Sequence, residues 1–343
     1  MSSQIFLKCS LESCAEHALS FAATCWEHSK PEEYIAQLRT RLQAHQVSSP
    51  LVLNLKKIEF KDFDFSKMNL AGSIFSQAHF SACHFVDTNL QGCDMIGARF
   101  GACDFVGSDL KQAHLTRAVF NHCLLSHSDL RGAYLVEAHF KETDFMGSLL
   151  SMTVLWNADL RSAKNLKKKN FEDPDKPSSV ALLEKHALVA FESYRTVKHY
   201  FHDQGLHEDA SWAAYRQLTM ERKHFLETKN PRYFPSLLMD ILSGYTEKPH
   251  RVIAASLAIV LLFGMAYYFL NVPYAVAVGA GGARVGFLNS VYFSFITFTT
   301  VGYGDWVPRP GAAFQLLTCA EAFSGPFMAG LYIFTLTRRY AAH

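Results

Sequence analysis

The sequence predicts a mixed fold, in which a repetitive β-structured domain is followed by a helical region and by an α-helical membrane domain. Three observations lead to this prediction. An apolar residue recurs at every fifth position from residue 55 to residue 160, two long apolar segments lie near the C-terminus, and a glycine-rich run separates them. The chain has 343 residues and a net charge of +2, which argues neither for nor against a nucleic-acid partner.

The repeat has a period that no regular helix or strand produces. Every fifth residue from Leu55 to Leu160 is Leu, Phe or Met, over 22 consecutive units. Two residues earlier, all 18 positions from Ser73 to Ala158 are Ala, Ser, Thr or Cys. Helices repeat near 3.6 residues and strands every two. The period therefore requires a coil with several sides, in which each side directs one apolar and one small side chain toward the axis.

This pattern resembles the pentapeptide-repeat family, whose members form a right-handed quadrilateral β-helix with four pentapeptides in each coil. The resemblance implies that both kinds of repeated residue point inward and that 22 units make between five and six coils. Four cysteines then occupy inward core positions: Cys83, Cys93, Cys103 and Cys123. The helical segment 31–45 is a candidate cap for the N-terminal end, because an open solenoid end exposes its core.

Some pentapeptide-repeat proteins mimic DNA by being acidic. Residues 51–166 carry 11 Lys or Arg and 12 Asp or Glu, so their surface is nearly neutral. A rigid spacer or assembly scaffold is therefore favoured over a DNA mimic, and no nucleic-acid partner is expected.

The first thirty residues contain a candidate zinc site. Its residues form the pairs C-x4-C and C-x2-H: Cys9, Cys14, Cys25 and His28. Such pairs place four ligands around a tetrahedral zinc ion. The alternatives are His17 as the fourth ligand, or a set of buried cysteines without metal. The segment also resembles the Cys/His-containing start of pentapeptide-repeat channel proteins, and it lacks the pattern of a secretory signal.

Five regions are predicted along the chain. They are residues 1–50, a Cys/His segment with a helical cap; 51–165, the β-helix; 166–232, a linker and a helical hairpin; 233–249, an interfacial helix; and 250–343, the membrane domain. A polar, proline-bearing run after residue 166 predicts the linker. The apolar face of 233–249 directly precedes a membrane span, which suits a helix lying on the membrane surface.

Two membrane spans are predicted. Residues 252–270 carry no charge over 19 positions, which at about 1.5 Å per residue crosses a bilayer core of about 30 Å. Residues 311–337 form a second span. Basic residues lie just before the first span and just after the second: Lys248, Arg251, Arg338 and Arg339. The positive-inside rule then places both termini in the cytoplasm, and the plasma membrane, the inner membrane in a bacterium, is the expected location.

The run Thr300-Val301-Gly302-Tyr303-Gly304 lies between the spans, after a mostly apolar stretch too short to cross. Irregular backbone at membrane depth persists only where it lines a cavity or is buried in protein. The run resembles the selectivity filter of two-transmembrane potassium channels, and the resemblance covers about residues 250–340. It implies a homotetramer in membrane lipid, in which four copies form carbonyl rings that replace the hydration shell of K⁺.

The same resemblance assigns residues that support the filter. Thr299 and Asp305 flank it as in many relatives, and Tyr292 and Phe293 fall where relatives carry an aromatic pair. Where some relatives have a carboxylate behind the filter, this chain has Ile296, so a carboxyl pair with Asp305 is not expected.

The second span carries candidates for a gate. Gly325 and Pro326 lie near its middle, and a proline there removes a backbone hydrogen bond and bends the helix, so we interpret the pair as a hinge. Phe327 and Phe334 are expected near the cytoplasmic mouth. Glu321 is a functional candidate because it is ionisable within a membrane helix. It either lines the cavity or, the favoured alternative, bonds to the pore region.

The sequence therefore predicts a potassium-selective channel, with K⁺ in the filter and an unidentified regulatory ligand or protein on the cytoplasmic domain. An enzyme is not predicted, because the sequence has no phosphate-binding loop or nucleophile constellation. It also has no Arg-rich voltage-sensing helix. The competing hypotheses are a membrane-tethered interaction protein that conducts little and a ligand-gated sensor.

Overall fold

The chain is described from a computed structural model, which covers residues 8–11, 14–43, 50–172, 186–277 and 285–340. Most of the predicted linker, residues 173–185, lies outside the described residues. The chain divides into two compact units, Met1–His224 and Phe225–His343.

The first unit is built around a β-helix of short parallel strands. They are β1 (Glu59–Lys61), β2 (His79–Ser81), β3 (Arg99–Gly101), β4 (Val119–Asn121) and β5 (His139–Lys141). Each strand pairs with residues twenty positions further along, as Phe60 does with Phe80, so the strands mark four complete turns. Isolated bridges extend the ladder from Pro50 to Lys164. The predicted β-helix is confirmed.

The core of the β-helix consists of columns of equivalent side chains. One column stacks its rings with centroids 5.5, 4.9 and 5.2 Å apart, close to the strand spacing of about 4.8 Å: Phe80, Phe100, Phe120 and Phe140. The four repeat cysteines are at most 1% exposed, which confirms them as core residues. Burial raises the pKa of the Cys93 thiol to about 12, so this sulfur stays protonated and unreactive.

Helices cover both ends of the β-helix. At the N-terminal end, α1 (Pro31–Gln43) buries Leu38 and Leu42 in the common core, and its Arg39 donates a hydrogen bond of 3.0 Å to the carbonyl of Asp62. At the other end lie α2 (Ala187–Asp203) and α3 (His207–Glu227). The Tyr200 hydroxyl of α2 donates to the carbonyl of Ala163 at 3.1 Å. Neither end of the described core is left open.

Residues 166–171, expected as the start of the linker, instead complete the core. Leu166 and Phe171 are buried, and the Asn170 side-chain amide donates to the carbonyls of Phe145 at 3.0 Å and Ser148 at 2.9 Å. The linker prediction rested on a polar, proline-bearing run that begins with three consecutive lysines. Their side chains are exposed or half-buried, while the residues on either side of them carry the packing.

The second unit is helical. Its elements are α4 (Tyr233–Ser243), α5 (Pro249–Leu270), α6 (Phe287–Phe298) and α7 (Ala312–Tyr340), with an antiparallel pair of β6 (Pro273–Ala275) and β7 (Trp306–Pro308). α6 packs against both α5 and α7. At the crossing of α5 and α6, a Cβ on Gly264 would lie only 2.9 Å from the side chain of Val291, so glycine permits this close approach.

Helix α5 and residues 312–338 of α7 are long and apolar enough to cross a membrane, whereas α6 has only 12 residues. Just 22% of the apolar window in each long helix is buried within the chain. Phe323 is 79% exposed and Leu262 is 64% exposed. On α4, Phe234 and Ile241 are also exposed, at 72% and 59%. This apolar surface suits lipid or neighbouring copies better than water.

Candidate functional site

The five residues of the predicted filter form an irregular segment between α6 and β7. The angle φ is positive at Thr300 (57°), Gly302 (51°) and Gly304 (77°), but not at the two residues between them. In an ordinary strand every φ is negative, and neighbouring carbonyls point to opposite sides. A change in the sign of φ at every second residue turns successive carbonyls toward one side. The segment is therefore not an ordinary strand, and its φ values alternate as such a row of carbonyls requires.

The filter segment is tied to the end of α6. Thr300 is a β-branched residue with a positive φ, which is costly and occurs mainly where the surroundings hold it in place. Its N–H donates to the carbonyl of Thr297 at 3.1 Å, and the N–H of Gly302 donates to the carbonyl of Ile296 at 3.3 Å. Strain maintained in this way is typical of functional segments.

The predicted supporting residues of the filter make contacts in or next to α6. The Tyr292 hydroxyl of α6 donates to the Asp305 carboxylate at 3.0 Å. Asp305, for which no carboxyl partner was expected, thus has a tyrosine as its partner. Phe293 is buried, with its ring centroid 5.3 Å from that of Tyr267 on α5. The Thr299 hydroxyl donates to the carbonyl of Phe295 at 2.8 Å and closes the end of α6.

Glu321 of α7 is 0% exposed and bonds to both other membrane helices. Its Oε2 accepts a hydrogen bond of 2.5 Å from the Tyr267 hydroxyl of α5, and its Oε1 bonds to the Ser294 hydroxyl of α6. Of the two predicted roles, this geometry fits a bond to the pore region and not a cavity-lining position. Sequence reasoning missed Tyr267 and Ser294, although polar residues inside apolar helices are a signal for such partners.

Gly325 lies against the end of α6. A Cβ at this position would lie 1.7 Å from the carbonyl oxygen of Phe298, so only glycine allows α7 to pass here.

α7 continues through Pro326 without interruption, and the bend predicted there stays a prediction. Phe327 and Phe334 are 55% and 56% exposed in the single chain, which leaves both rings available to another copy.

The C-terminal end of α7 is joined to the turn between α4 and α5. Arg338 donates to the Thr246 hydroxyl at 2.7 Å and lies 3.0 Å from the Glu247 carboxylate. Nearby, Arg251 of α5 pairs with Asp240 of α4 at 2.7 Å. In the sequence both arginines are signals of membrane topology only. The structure shows that they also connect helices.

In the first unit, the predicted zinc ligands form one group whose ligand atoms all lie within 4.8 Å of one another: Cys9, Cys14, Cys25 and His28. The Sγ atoms of Cys14 and Cys25 are 3.7 Å apart, and His28 Nδ1 lies 3.6 Å from Cys9 Sγ and 3.3 Å from Cys25 Sγ. Zinc bonds of about 2.3 Å to sulfur and about 2.0 Å to nitrogen give tetrahedral edges of about 3.5 Å between nitrogen and sulfur and about 3.8 Å between sulfurs, within a few tenths of an ångström of these distances. The donor set therefore fits a zinc ion. His17 does not belong to the group.

The surroundings of two thiols in this group shift their pKa values in opposite directions. The backbone N–H groups of Leu11 and then Cys25 bond to the Cys9 sulfur and lower the pKa of its thiol to about 6. At Cys14 the N–H of Glu16 lowers the pKa, but burial and the nearby sulfurs outweigh it, so this pKa is raised. A bound cation would favour the thiolate at each sulfur.

Comparison with known families separates the chain into the same two parts. Residues 255–342 match a family described as ion channels. Residues 59–101, 73–112 and 113–151 match pentapeptide repeats, with eight copies. The chain joins a pentapeptide-repeat domain to an ion-channel domain. The filter segment, Glu321 and Gly325 all lie in the ion-channel domain, whereas the Cys/His group precedes the matched repeats.

Two plant proteins are similar to part of the chain. Two pore potassium channel b of Oryza sativa subsp. japonica is 32% identical over 93 residues, which cover 27% of this chain and 25% of that protein. Two-pore potassium channel 1 of Arabidopsis thaliana is 45% identical over 51 residues, or 15% and 14% of the two chains. The chain thus spans a quarter or less of the length of these two relatives.

Solved structures of pentapeptide-repeat type are also similar to part of the chain. The plasmid-mediated fluoroquinolone resistance protein QnrB1 has 15% identity and a TM-score of 0.27, covering 38% of this chain and 82% of that chain. A pentapeptide repeat protein from the Arabidopsis thaliana thylakoid lumen has 23% identity and a TM-score of 0.19, covering 31% and 71%. At these scores neither similarity bears on function.

Proposed function

We propose that the protein is a potassium-selective channel made of four copies of the chain. The observation that carries this proposal is the alternating sign of φ from Thr300 to Gly304. Four such segments around an axis form oxygen rings that replace the water around K⁺. The ion-channel family match supports conduction, and the similarity to plant potassium channels supports K⁺ as the ion.

Exposure of the filter supports assembly. In a single chain Val301 is 52% exposed and Tyr303 is 72% exposed. Irregular backbone at membrane depth cannot face lipid, because its polar groups would lose their hydrogen bonds. Other copies of the chain must therefore enclose this segment. A tetramer encloses it and also creates the carbonyl rings.

The proposed topology is two spans with both ends in the cytoplasm. Arg338, at the end of α7, contacts Thr246 and Glu247, just before α5 begins, so the start of one span lies beside the end of the other. Basic residues at that end favour the cytoplasmic side of the plasma membrane.

Potassium flux from liposomes tests the proposed function. Purified full-length protein is reconstituted as tetramers, and K⁺ efflux is compared with Na⁺ efflux and with protein-free liposomes. We expect rapid K⁺ efflux and little Na⁺ efflux. Reconstituted tetramers that pass neither ion would favour the membrane-tethered interaction protein instead.

We also propose that the Cys/His group holds one structural zinc ion per chain. Elemental analysis of protein purified without added metal is expected to find one zinc per chain, because the four ligand atoms lie within 4.8 Å of one another and three thiols with one imidazole are a zinc donor set. Cys25→Ser should remove most of this zinc and lower the melting temperature, since Cys25 lies next to both Cys14 and His28. Cys319→Ser, at an exposed cysteine, is the control. Folded native protein with no zinc would contradict the site.

We propose that the pentapeptide-repeat domain regulates a gate formed by Phe327 and Phe334 in the C-terminal half of α7. Four apolar rings that meet on the axis can close a pore by excluding water. Arg338, at the end of α7, contacts Glu247 and Thr246 in the turn between α4 and α5. If the end of α7 moves, this turn must move with it or the contact must break. The contact therefore supports a role for the α4–α5 turn in gating. A hinge at Pro326 would permit that movement.

Arg338→Gln is expected to change the open probability of the channel and leave its ion selectivity unchanged. The substitution removes the ion pair with Glu247, whose side chain is 9% exposed, and so frees the end of α7. Single-channel recording in bilayers measures both properties. Arg117→Gln is the matched control, because Arg117 pairs with Glu137 on the β-helix surface and is 71% exposed. An unchanged open probability in Arg338→Gln would place the gate elsewhere.

A further inference from the structure

Three oxygen contacts lie together between the membrane helices. The Ser294 hydroxyl oxygen lies 2.7 Å from the carbonyl oxygen of Val260 and also bonds to Glu321 Oε1. The Tyr267 hydroxyl oxygen lies 2.5 Å from Glu321 Oε2. Each of these three contacts needs one proton between its two oxygen atoms.

The two hydroxyl groups supply too few protons for these contacts. Serine and tyrosine hydroxyls carry one proton each, whereas a carbonyl and an ionised carboxylate only accept. If Glu321 were ionised, the Ser294 proton could serve only one of its two contacts. One pair of oxygen atoms would then face each other at hydrogen-bonding distance with no proton between them.

We infer that Glu321 carries a proton and donates it to Ser294. Ser294 then donates to the carbonyl of Val260, Tyr267 donates to the other carboxyl oxygen, and all three contacts are hydrogen bonds. Burial supports the neutral acid, because Tyr267, Ser294 and Glu321 are each 0% exposed. The carboxyl group contacts these two hydroxyls in the described part of the chain, with no basic residue among its hydrogen-bond partners. A buried carboxylate without a cationic partner is strongly unfavourable.

The protonated carboxyl group links three helices of one chain. Tyr267 and Val260 belong to α5, Ser294 belongs to α6, and Glu321 belongs to α7. Ser294 lies six positions before Thr300, so the link holds the helix from which the filter segment emerges. Glu321 is therefore a positioning residue that acts on the filter through α6. This part of the inference rests on the proposed function, whereas the protonation state does not.

Glu321→Gln separates a neutral acid from an ionised one. A glutamine amide donates to Ser294 and its carbonyl accepts from Tyr267, so we expect K⁺ flux within about twofold of the native protein. Glu321→Ala leaves two buried hydroxyls without this partner, and we expect flux to fall by about tenfold or more, in line with the loss of buried hydrogen bonds. Equal loss in both variants would overturn the neutral acid.

Infrared spectroscopy gives a readout independent of conduction. The native tetramer should show the carbonyl stretch of a protonated carboxylic acid, and this band should be missing in Glu321→Gln. If that variant does not fold, Tyr267→Phe should shift the same band, because it removes one hydrogen bond to the acid. A native spectrum without the band would overturn the inference. Absence of K⁺ flux from tetramers that show the band would instead reject only the proposed function.

Discussion

Gly325→Ala is expected to prevent assembly of a conducting channel, while Gly330→Ala on the same helix is expected to be tolerated. The added Cβ at residue 325 would lie 1.7 Å from the carbonyl oxygen of Phe298 and 2.8 Å from its carbonyl carbon. Both atoms are backbone at the end of α6, so no side chain can rotate away. The separation from the oxygen would have to double to reach the 3.4 Å of ordinary contact.

To relieve this clash, the end of α6, which leads into the filter, would have to move. Overpacking in a well-packed core costs about 1–3 kcal/mol, and here every subunit would bear that cost. At Gly330 a Cβ meets no atom of the chain within 4 Å, and alanine favours a helix by about 1 kcal/mol over glycine.

Size-exclusion chromatography of both variants, followed by the liposome flux assay, measures the difference. A pure hinge role for Gly325 predicts a different outcome, in which Gly325→Ala assembles normally and only its gating changes. That result would show that α6 and α7 are not as close as the structure places them.

The β-helix could be predicted because each of its units obeys the same local rule. Phe100 and Cys103 point inward for the same reason as their equivalents twenty residues earlier and later, so a period in the sequence translates directly into a column in the core. The two long apolar helices could be predicted from length and composition in the same way. Neither prediction needs knowledge of which distant residues meet.

The contacts around the filter depend on where three separate helices cross, and no local pattern specifies this. Glu321 and Gly325 stood out in the sequence as unusual residues in a membrane helix. Their partners Ser294 and Phe298 did not, because the distance between them follows from packing and not from spacing. At residues 166–171 the sequence suggested less structure than the chain has. A polar, proline-bearing run suggested a linker, although Leu166 and Phe171, on either side of its three lysines, fill the end of the core.

Gly302→Ala is expected to abolish K⁺ selectivity, with an effect that comes from the backbone alone. Gly302 has a φ of 51°, and an added Cβ would meet no atom of the chain within 4 Å, so no steric clash inside the subunit opposes the change. A left-handed conformation costs an L-amino acid about 1–2 kcal/mol, which amounts to about 4–8 kcal/mol over four subunits. Thr300 bears a similar cost, but its hydroxyl adds a local hydrogen bond, to the carbonyl of Thr299, that alanine at residue 302 could not make.

The cost at residue 302 is relieved if φ becomes negative, and this breaks the alternation on which the row of carbonyls depends. One oxygen ring then turns away from the axis, and a dehydrated K⁺ loses part of its coordination. Reversal potentials in K⁺ and Na⁺ gradients measure the loss. Gly286→Ala is the matched control, because Gly286 has a φ of −66° and open space around its Cα, so alanine fits without strain. Gly302→Ala channels with native selectivity would mean that ions do not pass along this backbone, and the proposed filter would have to be abandoned.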